Sequence, residues 1–282
     1  MNVSFDDLKG KVCAITGGGG IIGASLSQAL AGLGVKVAVL DLNVEAANKV
    51  AEQIAKDTGS EAIGVEANVL QEASLLEAKK TINEKLGKIE ILVNCAGGNH
   101  PRATTQSEFL TELSESALKD SFYGLDVTAF QKVFDLNFLG TLLPTMVFTK
   151  DMLELKHGSV INISSMSSYK PLTKVPAYSA AKSSVNNLTE WLSTHLAKMN
   201  IRVNAIAPGF FLTAQNKFLL TDEKTGDLTQ RGNKIINRTP MGKFGDPADL
   251  NGALAYLASD ISSFVTGIII PVDGGYNAYS GV

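Results

Sequence analysis

The sequence predicts a single-domain α/β fold, a doubly wound parallel sheet of about seven strands with helices on both faces. Three observations carry the prediction. Short apolar, β-branched runs alternate with helix-like stretches along all 282 residues. A glycine turn joins the first such run to the first helix. No linker or low-complexity stretch interrupts the chain, and 45% hydrophobic residues can fill a substantial core, so residues 1–282 read as one domain.

The first strand is Lys11-Val-Cys-Ala-Ile-Thr16, followed by Gly17-Gly-Gly-Gly-Ile-Ile-Gly23 and a helix over 21–33. Gly18, Gly20 and Gly23 match G-x-G-x-x-G in the strand–turn–helix context the motif needs, which leaves the helix N-terminus to face a pyrophosphate. The second strand, Val35 to Leu40, ends at Asp41, eighteen residues past Gly23. A carboxylate there accepts hydrogen bonds from adenosine ribose hydroxyls and repels a 2′-phosphate. No Lys or Arg lies between Val12 and Val35, and none follows Asp41 before Lys49, so the expected cofactor is NAD.

Further strands are expected near 61–66, 89–93, 158–163, 201–206 and 267–272, with helices near 44–58, 71–87, 127–152, 176–199 and 247–259. Right-handed crossovers between these elements give a Rossmann-type sheet. Two regions break the rhythm. One is a polar insertion near 98–128, rich in Ser, Thr and Glu. The other runs near 210–245, with a hairpin or loop tip at Asp222-Glu-Lys-Thr-Gly-Asp227. Both leave carboxyl ends of strands, where loops carry specificity.

The chemistry centres on Tyr178 and Lys182, four residues apart and therefore on one helix face. An ammonium beside a phenol is expected to lower the phenol's pKa, producing a group that exchanges protons with a carbonyl or alcohol oxygen. Ser165 closes the stretch Gly158-Ser-Val-Ile-Asn-Ile-Ser-Ser165, a buried strand feeding a loop, and so reaches the carboxyl edge where α/β enzymes bind ligands.

With these elements in place, the chain from about Leu8 to Val282 resembles the short-chain dehydrogenase/reductase family. Thr16-Gly17 with Gly23 resembles that family's T-G-x-x-x-G-x-G turn, with Ile21 in place of the middle glycine. Asn94-Cys-Ala-Gly97 resembles N-N-A-G, Asn137-Phe-Leu-Gly140 resembles N-x-x-G, and Pro208-Gly209 with Thr213 resembles P-G-x-x-x-T. Asn68-Val69 stands at the adenine-pocket position, where Asp-Val is more usual. The resemblance implies a catalytic tetrad of Asn137, Ser165, Tyr178 and Lys182, with Asn137 holding a water that links Lys182 to solvent. It implies cofactor contacts from Gly17, Gly18, Gly20, Ile22, Gly23, Asp41, Asn68, Val69, Asn94, Ala96, Gly97, Pro208, Gly209 and Thr213 as well as Tyr178 and Lys182.

A homotetramer is the family expectation, through the helices at 127–152 and 176–199, whose surplus apolar residues include Phe148, Met152, Val185, Leu188 and Trp191. Net charge −3 offers no basic stripe for nucleic acid. The N-terminus lacks a signal-peptide pattern, and no apolar run approaches the roughly 20 residues a membrane span needs. Cys13 and Cys95 fit a reducing cytoplasm, with a packed thiol expected at Cys95. His100, His157 and His195 are too scattered to bind metal, and none is expected.

Several stretches narrow the resemblance, among them Cys95-Ala-Gly-Gly-Asn-His-Pro101 and the ending Val272-Asp-Gly-Gly-Tyr-Asn-Ala-Tyr-Ser-Gly-Val282. They are similar to the family's D-mannonate oxidoreductase, or fructuronate reductase, branch, which implies a small sugar-acid substrate. Asn99, His100, Arg102, Gln215 and Asn216 are the candidate substrate residues, with Arg102 the expected carboxylate clamp, His100 a donor beside it, and Lys170 or Lys174 the reserve choices. The competing reading is that these side chains merely solvate loops. Polyol or gluconate dehydrogenases of the same family remain alternatives, as does a non-catalytic dinucleotide-binding protein, although such proteins typically lose the Tyr or Lys present here.

Overall fold

The computed structural model describes residues 4–213, 217–222 and 225–281. Its strands are β1 (Val12–Thr16), β2 (Lys36–Asp41), β3 (Ala62–Glu66), β4 (Ile89–Asn94), β5 (Gly158–Ile163), β6 (Ile201–Pro208) and β7 (Ile269–Val272). They form one parallel sheet in the order β3-β2-β1-β4-β5-β6-β7. The helices are α1 (Ile21–Gly32), α2 (Val44–Thr58), α3 (Glu72–Lys85), α4 (Glu115–Lys119), α5 (Val127–Leu155), α6 (Pro176–His195), α7 (Lys217–Leu220), α8 (Gln230–Ile236) and α9 (Asn251–Ala258).

Both sheet faces are buried, and the strands divide their residues between two cores by simple alternation. Cys13, Ile15, Val37, Val39, Ile91, Val93 and Ile161 face a core shared with α1, α2 and α9. Val12, Ala14, Ala38, Leu40, Leu92 and Val160 face the opposite core, shared with α3, α5 and α6. That second core also takes Phe148 and Met152, while Val185 is fully buried as well. Of the apolar residues expected to be surplus to the sheet, these three belong to the interior, and Trp191 is the one well exposed, at 56%.

Helix ends follow local chemistry. The stretch expected as one helix over 176–199 stops at His195 and continues as a 3-10 turn, Ala197–Met199, ended by Asn200 in the left-handed region at φ 57°. The expected helix at 247–259 opens instead as a 3-10 turn, Pro247–Leu250, with Asp246 and Asp249 forming a reciprocal capping box. Within the polar insertion, Ser114 caps the short α4 by accepting from the Ala117 N–H. The described flanks of the loop tip after β6 pair as a hairpin does: Thr221 and Leu228 form an antiparallel bridge, and Asp222 N–H donates to the Asp227 carbonyl at 2.8 Å, while Glu223 and Lys224 lie outside the described residues. Among the described residues, no helix is long and apolar enough to cross a membrane.

Candidate active site

The C-terminal edge of the sheet is built on a row of polar residues in register across three neighbouring strands: Thr16 of β1, Asn94 of β4 and Asn162 of β5. Buried polar groups need partners, and these find one another and the flanking helices. Asn94 Nδ2 donates to Thr145 Oγ1 on α5 at 2.9 Å and to Asn162 Oδ1 at 2.8 Å. Asn162 Nδ2 then donates to Thr189 Oγ1 on α6 at 2.9 Å. Both amide hydrogens of Asn94 are thus committed to holding the sheet to α5 and α6, and Asn94 Oδ1 is left without a partner. Thr16 Oγ1 accepts from the N–H groups of Cys95 and Ala96 at 3.1 and 3.2 Å, tying the loop after β4 to the glycine turn.

In the glycine turn, only Gly17 occupies the left-handed region, at φ 63°. A β-carbon on it would stand 2.8 Å from Ala96 Cα, and one on Gly23 would stand 2.3 Å from the Gly17 carbonyl oxygen. Ile21 is the first residue of α1 and has ordinary helical backbone, so the turn does not need glycine there. Gly20 precedes the helix without a side-chain cap, leaving the first amides of α1, those of Ile21, Ile22 and Gly23, directed out of the N-terminus. Uncapped amides and a turn closed to side chains fit a dinucleotide pyrophosphate.

Asp41, at the end of β2, receives the Gly19 N–H on Oδ2 and the Asn43 N–H on Oδ1, each at 3.0 Å. Asn68 and Val69 follow β3 beside it. Asn68 Oδ1 caps its own turn through Leu70 N–H, and Val69 packs on α5 where Gly140 leaves room. Gly209 follows Pro208 at the end of β6; a β-carbon there would meet Asp273 Cα at 2.6 Å. Thr213 lies further along the same loop and accepts the Lys217 N–H on its carbonyl at 2.9 Å.

Ser165, Tyr178, Lys182 and Asn137 come together above β4 and β5. Lys182 is buried; its Nζ lies 5.7 Å from the centre of the Tyr178 ring and donates to the Ile163 carbonyl at 2.7 Å. Burial pushes its pKa down to about 8. Burial also raises the Tyr178 phenol above its ordinary value, opposed by its hydrogen-bonding neighbour Ser165. The sequence expectation of a lowered phenol is therefore corrected: desolvation dominates at Tyr178, and the ammonium is bound to a carbonyl. Ser165 Oγ accepts from both the N–H and the hydroxyl of Ser167, at 3.2 and 3.0 Å. Its own O–H remains to be donated elsewhere.

Asn137 is anchored on the loop after β4. Its side chain is fully buried, donates to the carbonyls of Gly98 and Val133 at 2.7 and 2.8 Å, and accepts the Gly98 N–H at 3.2 Å. It clamps the loop after β4. Cys95 has a half-buried thiol, and burial pushes its pKa up to about 11. At neutral pH it is protonated and therefore a weak nucleophile.

The candidate substrate residues are not presented as a set. Asn99 Nδ2 donates to Thr104 Oγ1, and His100 Nδ1 accepts the Arg102 N–H, both within their own loop. Arg102 is 72% exposed and paired with Asp126, the cap of α5, so its position does not favour the clamp expected from the sequence. Gln215 and Asn216 lie outside the described residues. The sequence gives no sign of Thr145 and Thr189 as partners, although an asparagine inside the apolar run Val160-Ile-Asn-Ile163 signals a buried amide in need of them.

Comparison with known proteins identifies the class. The family model described as enoyl-(acyl carrier protein) reductase matches residues 19–277. An uncharacterised oxidoreductase of Bacillus subtilis is 48% identical over 278 residues, covering 98% of each chain. A 2-dehydro-3-deoxy-D-gluconate 5-dehydrogenase of Formosa agariphila is 34% identical, covering 100% of this chain and 98% of the relative. Among solved structures, a candidate D-mannonate oxidoreductase of Haemophilus influenzae with bound NAD superposes with a TM-score of 0.92 at 47% identity, covering 98% of each chain. The chain belongs to the short-chain dehydrogenase/reductase family and is an oxidoreductase acting on CH–OH groups.

Proposed function

We propose that the protein is an NAD-dependent oxidoreductase that interconverts the secondary alcohol of a hexonate and the corresponding keto sugar acid, of the D-mannonate/D-fructuronate type. The observation that carries this reading is the convergence of Ser165, Tyr178 and Lys182 on the sheet edge that also carries the glycine turn and Asp41. The named sugar-acid relatives support the substrate class.

In this reading NAD, when bound, supplies the hydride acceptor. Asp41 accepts the adenosine ribose hydroxyls, and its charge disfavours a 2′-phosphate. Asn68 and Val69 would border the adenine, and Ala96, Gly97, Pro208, Gly209 and Thr213 would help hold the nicotinamide half. Ser165 donates its hydroxyl to the substrate oxygen, steadying negative charge as it develops. Tyr178 passes the proton, and Lys182 contributes positive charge beneath both. Asn137 positions the Gly98 loop and, in the family's manner, would hold a water that links Lys182 to solvent.

Because burial keeps the phenol protonated to higher pH, Tyr178 is a ready acid near neutrality. Ketone reduction is then favoured at neutral pH, and alcohol oxidation rises as the pH becomes alkaline. Tyr178→Phe tests the reading: turnover should fall at least about 10²-fold while NAD still binds. Near-normal turnover would remove Tyr178 from the chemistry. A panel of D-mannonate, gluconates and polyols, followed at the nicotinamide absorbance, decides the substrate. The 34% identical gluconate-type dehydrogenase favours a second reading, oxidation at another carbon of a related acid.

We also propose a homotetramer in the cytoplasm. Trp191 on α6 and Met146 on α5 are 56% and 55% exposed and would be covered by a second copy of this helix pair. A monomer by light scattering at micromolar concentration would overturn this assembly.

A further inference from the structure

The loops that leave β4, β5 and β6, three adjacent strands, are joined above the sheet edge by charge. Glu108, in the insertion after β4, pairs with Lys234 of α8, in the loop after β6, at 2.7 Å. Lys174, in the loop after β5, donates through Nζ to the Gln106 carbonyl, and its own carbonyl accepts the Thr105 N–H at 3.0 Å. Lys174 stands two residues before the start of α6, the helix that carries Tyr178. The Glu108 carboxyl is held below its ordinary range by Lys234 first, with Lys174 and Arg238 acting in the same direction. Among the described residues, neither Lys174 nor Arg238 has a carboxylate partner of its own. Lys234 and Lys174, from two loops, therefore both bind the segment of a third that carries Glu108, and the charge of Arg238 acts on the same carboxylate.

We infer that Lys234, Arg238 and Lys174 receive the carboxylate of the substrate, and that Glu108 is a resident counter-anion which competes with it. This inference rests on the sugar-acid reading. Chemically, a hexonate carboxylate needs charged donors at the end remote from the reacting carbon, and lysine or arginine donors give the strong, charge-assisted form of the bond. The Arg102 guanidinium is already committed to Asp126. By contrast, the charges of the three cations all act on one anion, which is partly exposed to solvent. An incoming carboxylate would take the place of the Glu108 carboxylate, freeing the Lys234–Glu108 contact as it binds.

The test compares D-mannonate with its neutral amide, D-mannonamide, which keeps every hydroxyl. Lys234→Ala and Arg238→Ala should each raise KM for D-mannonate about tenfold, with KM for NAD and for the amide little changed. Lys234→Arg should restore most of the loss. Glu108→Gln should lower KM for D-mannonate several-fold and leave the amide unaffected, a direction that loss of a merely structural contact would not give. Equal losses on acid and amide would make the pair a loop tether and overturn the inference, as would unchanged KM in both lysine and arginine variants. If the parent enzyme turns over polyols but no hexonate, the sugar-acid reading itself fails. That outcome is distinct, because it appears before any variant is made.

Discussion

Gly97 lies against Asn137 so closely that a β-carbon on it would stand 2.6 Å from Asn137 Oδ1 and 3.3 Å from Lys182 Nζ. Asn137 cannot swing aside without giving up its bonds to Gly98 and Val133. Gly97→Ala is therefore expected to cost about 1–3 kcal/mol of stability through overpacking. It should also displace Lys182 and lower kcat. Denaturant midpoints and turnover measured together check this; a variant with parental stability and rate would show that the contact relaxes freely.

Lys182 gives a pH dependence with a definite sign. Its folded pKa of about 8 lies below the ordinary 10.5, so between these values the unfolded chain retains a proton that the folded chain has released. Stability contributed by this group therefore rises with pH across that window. The unfolding free energy of the parent should gain on that of Lys182→Met by about 2 kcal/mol between pH 7.5 and 10, at about 1.4 kcal/mol per pKa unit. Urea titrations at the two pH values measure it. A constant difference would mean that Lys182 is not buried as a charged group.

Asp41 is the expected discriminator between cofactors. The parent should favour NAD over NADP by at least about tenfold in kcat/KM, equivalent to about 1.4 kcal/mol. Asp41→Ala should narrow that ratio and, by removing the acceptor for Gly19 N–H, also weaken NAD binding somewhat. Equal use of both cofactors by the parent would end the assignment.

Arg102→Ala should leave KM for a hexonate within about twofold and stability within about 1 kcal/mol, because exposed ion pairs contribute little. A large rise in KM would return the clamp to the Asn94 loop.

Much of the scaffold was legible because its signals are local. Strand runs, the glycine turn and the four-residue spacing of Tyr178 and Lys182 depend on neighbours in sequence, and the helix delivers that spacing directly. Charges were harder. Whether Arg102 reaches a cleft or Asp126 depends on how the insertion folds back on the start of α5, which no period in the chain encodes. The Glu108–Lys234 pair spans 126 residues and leaves no local trace. The sign of the Tyr178 shift was also hidden, since the proximity of Lys182 argued one way and burial, visible only in three dimensions, prevailed.

The alternation of β5 between two cores has a consequence for how this enzyme can vary. The strand has no solvent face to receive a misfit, and Asn162 lies on the side of α5 and α6 while Ile161 and Ile163 lie on the other. Deleting Val160 or Ile161 would exchange those sides, burying the amide among aliphatic chains far from Asn94 and Thr189. The same slip would carry Ser165 to the wrong side of the sheet edge, away from Tyr178. Sequence change in β5 is therefore restricted to substitution; its length is fixed jointly by folding and by catalysis.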